Sequence, residues 1–330
     1  MKVFKRLLLG LFILIVTAGT ISFFYFKNKF LSAPPNELTI SNVGQSFDFI
    51  WKSHKVGDKV IPNSYMFVPV SLPGIDQTFY MQFDTGAKST VLLYENVISV
   101  NEKYGTIFQI DTLDNQVRVL DAKFKVGTVD VTANSLGFKG RGTAIDWENN
   151  SFIILGTVGN DFIEQNPIII DYKNKNMTLI EATDKRIINE DDFLPFTFDG
   201  RRIFLSAQLN NEPIELWYDS GSSAYELIVD EDTFKDMSKP NSKITTYEGS
   251  SWGKKTKISN VASEGMFEFG NTSVPLTYVS YVEIPGTEML QSVLKLANIG
   301  GDLGGMTGNK LFLEKTLIID APNLRYAVKN

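Results

Sequence analysis

The sequence predicts an all-β protein of two pseudo-symmetric β-barrel lobes, preceded by an N-terminal transmembrane helix. Three observations lead there. From residue 35 onward, short alternating runs rich in Val, Ile, Phe, Tyr and Thr are broken by Gly, Asn, Asp and Pro, the pattern of strands joined by hairpins. Four short anchors each occur twice, in the same order. Ahead of them, Leu7 to Phe26 is a run of twenty residues without a charge.

Twenty helical residues rise about 30 Å, the hydrocarbon thickness of a bilayer. Lys2, Lys5 and Arg6 precede the run, Lys27 and Lys29 follow it, and Phe23, Phe24, Tyr25 and Phe26 suit the far interface. An uncleaved signal anchor fits this length. A cleaved signal peptide is the other reading, with Thr17-Ala18-Gly19 as a poor cleavage site. Either exports the rest of the chain to the periplasm or the cell exterior. The expected organisation is an anchor over 1–33, a first lobe over 34–188 and a second over 189–330. Their seam falls in the charged stretch Glu181–Asp192. A chain of 330 residues has room for two such cores.

Composition narrows the chemistry. A formal charge of −6 and a pI near 5.1 leave no basic excess for a phosphate backbone, so no nucleic-acid partner is expected. There is no Cys, which removes disulfides, Cys-ligated metals and thiol nucleophiles. The single His, His54, has no cluster of partners in the sequence and reads as a surface residue. No metal and no other cofactor is expected, and acid–base chemistry falls to carboxylates.

The anchors show where. Phe83-Asp84-Thr85-Gly86-Ala87 recurs as Tyr218-Asp219-Ser220-Gly221-Ser222, and Phe124-Lys125-Val126-Gly127 as Phe267-Glu268-Phe269-Gly270. Gly156-Thr157-Val158-Gly159-Asn160 recurs as Gly305-Met306-Thr307-Gly308-Asn309, and Ile168-Ile169-Ile170-Asp171 as Leu317-Ile318-Ile319-Asp320. Twelve residues separate Gly159 from Asp171, and twelve separate Gly308 from Asp320. Short helices are expected around Asn160–Gln165, Glu231–Met237 and Met289–Ala297. Asp171 and Asp320 read as strand-end residues with structural jobs.

Each Asp of the first anchor follows an apolar strand, precedes another, and has a Gly two residues on for a tight reversal. One such Asp alone reads equally well as a capped β-turn. Two of them, one per lobe, can meet. Like charges a few ångströms apart do not both ionise, so the pair shares a proton and titrates as a unit. Such a pair can hold a water, deprotonate it and protonate the carbonyl it attacks.

On these motifs the chain resembles the aspartic proteases of the pepsin and retropepsin-like superfamily, over roughly residues 60–330. The resemblance implies two acid-protease-like lobes in one chain, hence a monomer, acting as an endopeptidase on a polypeptide substrate. It implies Asp84 and Asp219 as the catalytic dyad. It also implies support from Thr85, Gly86, Ser220 and Gly221, the two hydroxyls bonding across to the opposite loop. Val158-Gly159 matches the family's apolar-Gly turn beneath each catalytic loop; Thr307-Gly308 departs from it. Flap hairpins are implied near Leu113-Asp114-Asn115 and Gly249–Gly253. The first flap lacks the family's Tyr. Trp252 is a candidate substrate-binding residue over the cleft, or an ordinary hairpin aromatic. These departures leave a second reading, a catalytically inactive peptide-binding or scaffold module with the same fold. Ala87 and Ser222 differ between the lobes, which leaves the working pH open.

Overall fold

The computed structural model describes residues 32–184, 192–251, 254–283 and 303–330. The N-terminal apolar run, Trp252, most of the expected seam and the expected helix at 289–297 lie outside these residues. Among the described residues no helix is long and apolar enough to cross a membrane.

Strand dominates. The first half contains β1 (Leu38–Ser41), β2 (Ser46–Asp48), β3 (Ile50–Val56), β4 (Lys59–Ser71), β5 (Phe79–Phe83), β6 (Val91–Leu92), α1 (Tyr94–Tyr104), β7 (Gln109–Leu113), β8 (Gln116–Val126), β9 (Val129–Phe138), β10 (Ile154–Val158), β11 (Ile168–Asp171) and β12 (Asn176–Leu179). The second contains β13 (Leu194–Asp199), β14 (Arg202–Leu209), β15 (Glu212–Tyr218), β16 (Ile228–Val229), α2 (Glu231–Asp236), β17 (Thr245–Ser251), β18 (Lys254–Phe269), β19 (Thr272–Glu283), β20 (Leu303–Thr307), β21 (Thr316–Asp320) and β22 (Arg325–Lys329).

The strands form two sheets. In the first, β9, β6, β10, β5, β4 and β8 pair in that order, and β8 returns to β9, closing a ring. In the second, β19, β16, β20, β15, β14 and β18 do the same, and β18 returns to β19. The senses match pair by pair: β10 runs parallel to β5 as β20 does to β15, and β6 parallel to β9 as β16 does to β19. Closure leaves no free edge within the ring. Alternation along β5 turns Phe79, Met81 and Phe83 into the core, as the period-2 pattern requires.

A six-stranded antiparallel run, β2-β12-β11-β21-β22-β13, joins the halves. At its centre Ile168 pairs with Ile319 and Asp171 with Thr316. Beyond these strands, the Asp171 carboxylate accepts from Asn174, and the Asp320 carboxylate from Asn323 and Arg325. Both acids do structural work at a strand end.

Helix α2 forms where expected, because the Asp230 side chain accepts from the amides of Asp232 and Thr233. At Asn160 the expected helix is a single 3₁₀ turn, Asn160–Phe162. Helix α1 carries no such signal. Its N-cap, Leu93, makes no side-chain cap bond, and its Val97-Ile98-Ser99-Val100 run reads as strand; burial of Val97 and Val100 makes it a helix instead.

The repeated glycines mark where β10 and β20 pass behind neighbouring backbone. A Cβ on Gly156 would stand 2.1 Å from the Val91 carbonyl oxygen, and one on Gly305 2.6 Å from that of Ile228. On Gly308 it would stand 2.0 Å from the Ser222 carbonyl oxygen, while on Gly137 it would meet nothing within 4 Å. Gly308→Ala is therefore expected to lower stability by about 2 kcal/mol or more, and Gly137→Ala to be neutral, in chemical-denaturation midpoints.

Candidate active site

Asp84 and Asp219 stand on loops built alike. The Asp84 amide donates to the Val158 carbonyl (3.0 Å) and the Asp219 amide to that of Thr307 (2.9 Å). Each carboxylate then accepts from an amide two residues ahead. Gly86 N–H reaches Asp84 Oδ1 at 3.0 Å, and Gly221 N–H reaches Asp219 Oδ1 at 2.8 Å. A Cβ on Gly86 would lie 2.5 Å from Asp219 Oδ1, and one on Gly221 2.5 Å from Asp84 Oδ1. Each carboxylate thus rests over the other loop's glycine, which explains why these two positions carry no side chain.

The loops lock together through their hydroxyls. Thr85 N–H donates to Ser220 Oγ and Ser220 N–H to Thr85 Oγ1, both at 2.8 Å. Thr85 Oγ1 donates to the Tyr218 carbonyl (3.1 Å) and Ser220 Oγ to that of Phe83 (3.0 Å). Both residues are fully buried. Below them Asn160 Nδ2 donates to the Thr85 carbonyl, and Asn309 Nδ2 to the Ser220 carbonyl and Ser223 Oγ. The asparagines that end the third anchor are therefore braces for the loops, a role their spacing alone does not disclose. Thr307, the departure from an apolar residue, donates from Oγ1 to the Glu226 carbonyl at 2.7 Å and is satisfied.

Burial raises the proton affinity of Asp219, and the neighbouring charge and hydrogen-bonded side chain of Asp84 raise it further, to a pKa of about 7. Ser222 Oγ and Gly221 N–H oppose the shift. The pair therefore keeps a proton through the acidic range. Among the described residues no group of three or more metal-ligating side chains occurs.

Three features were not legible in advance. Lys139, just after β9, places its ammonium 3.5 Å from Asp84 Oδ2; no motif marks it. His54 is half-buried rather than a plain surface residue, its Nδ1 3.1 Å from the Tyr65 hydroxyl. Finally, β3–β4 approaches the second half, with Lys59 Nζ 4.6 Å from the Tyr247 ring centre and the Tyr247 hydroxyl donating to that of Tyr225. The hairpin expected near Asp114 forms as β7–β8, with Asp114 and Asn115 in the left-handed region at its turn. The second forms as β17–β18.

Two outcomes follow. Thr85→Val keeps the shape but orphans the Ser220 amide and the Tyr218 carbonyl, and is expected to cost about 2–4 kcal/mol in denaturant unfolding. An Asp whose folded pKa lies above its unfolded value destabilises the fold once both states ionise, so this penalty grows from about pH 4 to pH 7. Asp219→Asn should therefore raise the melting temperature at pH 8, by an effect on the order of a few kcal/mol, and leave it nearly unchanged at pH 4. No protein-family model and no curated protein matches this chain.

Proposed function

We propose that this protein is an aspartic-type endopeptidase of the pepsin and retropepsin-like superfamily, with Asp84 and Asp219 as its catalytic dyad. One observation carries the reading: two like-built, interlocked loops bring two carboxylates together over each other's glycines, in a setting that holds a shared proton near neutrality. The matching strand rings support two acid-protease-like lobes, 34–188 and 189–330, within a monomer. The apolar run Leu7–Phe26 supports a membrane anchor with the catalytic region outside the cytoplasm.

The chemistry runs on one water and one proton. The ionised carboxylate takes a proton from the water as its oxygen attacks the peptide carbonyl carbon, and the protonated carboxyl gives its proton to the carbonyl oxygen. Collapse of the resulting gem-diol breaks the C–N bond. The amine leaves with the proton first taken from water, and the other carboxyl recovers its own.

The test uses the full-length chain in detergent micelles, incubated with a denatured protein mixture from pH 3 to 8. Cleavage is expected to fall by about three orders of magnitude in both Asp84→Asn and Asp219→Asn, with melting curves confirming folded variants. In the wild type it should fade as pH rises through about 7, when the pair loses its proton. A folded wild type that cuts nothing but binds peptides from a library would establish the inactive binding module instead.

A further inference from the structure

The two loops are not chemically equal. In the second, Ser222 Oγ donates to the outer oxygen Oδ2 of Asp219 at 3.0 Å. The matching position in the first is Ala87, which has no hydroxyl to give. There the outer oxygen of Asp84 meets the Lys139 ammonium instead, at 3.5 Å. A neutral hydroxyl thus faces one carboxylate and a cation the other.

We propose that Lys139 is a positioning residue that breaks the dyad's symmetry: it keeps the negative charge on Asp84 and leaves the shared proton on Asp219. This rests on the peptidase reading and adds to it an assignment of roles. Asp84 becomes the group that deprotonates the attacking water, and Asp219 the one that protonates the carbonyl oxygen. A cation within 4 Å of one member of a coupled pair favours ionisation there, whereas a hydroxyl distinguishes the two states less.

Among the described residues, the cation paired with Asp84 is Lys139. From the second loop, the titratable group facing Asp84 is Asp219, and beneath Asp219 lies the Tyr218 hydroxyl, bonded to Tyr172 and Asn309. Arg141, two residues beyond Lys139, pairs with Glu95, and Arg201 with Glu164. Lys88, four residues after Asp84, donates to the Ser32 carbonyl. His54 and Tyr65 bond each other on the β3–β4 hairpin, and Tyr225 is joined to Tyr247. The Lys139 amide is held by the Leu92 carbonyl, so β6 fixes where its stem starts. Its side chain stays 53% exposed, so the ammonium remains partly hydrated and its effect on the pair is moderate.

The test removes the charge and keeps the bulk. Full-length protein carrying ¹³C-carboxyl aspartate is titrated by NMR as wild type, Lys139→Met and Lys139→Arg, with Asp84→Asn and Asp219→Asn assigning the signals. In the wild type Asp84 is expected to ionise first. Lys139→Met should move that first step up by about one pH unit, and Lys139→Arg should restore it. The acid limb of the pH–cleavage profile should move up with it. An Asp84 titration unmoved by Lys139→Met, or Asp219 ionising first in the wild type, would overturn the proposal. Because the carboxyl signals are read without turnover, a protein that cleaves nothing fails the peptidase reading while the titration still decides Lys139.

Discussion

Two carboxylates brought together away from water repel each other and resist burial, so something must hold their loops in place. Here that restraint is the exchange of bonds between Thr85 and Ser220, in which each hydroxyl accepts an amide of the opposite loop and donates to the carbonyl just before that loop's Asp. A side chain that both accepts and donates ties its own loop to the other at two points. Valine in its place could do neither, and a longer polar group would find no room where both residues are fully buried. The rest of the architecture serves that lock. Strands β10 and β20 supply the carbonyls that receive the amides of Asp84 and Asp219, and the asparagines just beyond them hold the loop carbonyls.

The glycine pattern follows from the same demand. Gly86 and Gly221 leave space for the opposite carboxylate, and Gly308 lets backbone pass within van der Waals reach of the Ser222 carbonyl. These are constraints of close approach, which is why they survive in both copies while the hairpins between them differ in length. They are also why the repeat was legible. A residue type demanded by backbone proximity leaves a mark within a single sequence. Thr307 shows the limit of that legibility. As a sequence symbol it breaks the apolar pattern; in the fold its methyl and hydroxyl occupy a buried place with the Glu226 carbonyl as acceptor.

What the sequence hid has two causes. Lys139 reaches Asp84 from a distant part of the chain, and Tyr247 meets Tyr225 in the same way; such meetings depend on where strands end in space. Helix α1 was hidden differently: it lacks a capping side chain and contains residues that favour strands, so local propensity pointed away from the outcome. Burial of Val97 and Val100 against the surrounding sheet overrode it. The loops were legible because their chemistry is local and repeated. Their surroundings were not, because side chains of ordinary type acquire a role only through position.

Repetition also explains where the two copies were free to diverge. Phe83 and Tyr218 precede the two Asp residues at matching positions, yet only Tyr218 carries a hydroxyl, which joins Tyr172 and Asn309 in a fully buried network. Asn309 Oδ1 thereby lies within hydrogen-bond reach of two hydroxyls, whereas Asn160 Oδ1 has no partner among the described residues. The second loop also keeps the hydroxyl of Ser222 on its carboxylate, while the first has the partly exposed Lys139. A neutral, hydrogen-bonding hydroxyl therefore faces Asp219, and a partly exposed cation faces Asp84. A symmetric pair of carboxylates has no preferred place for a single proton. In this chain the cation beside Asp84 gives it one.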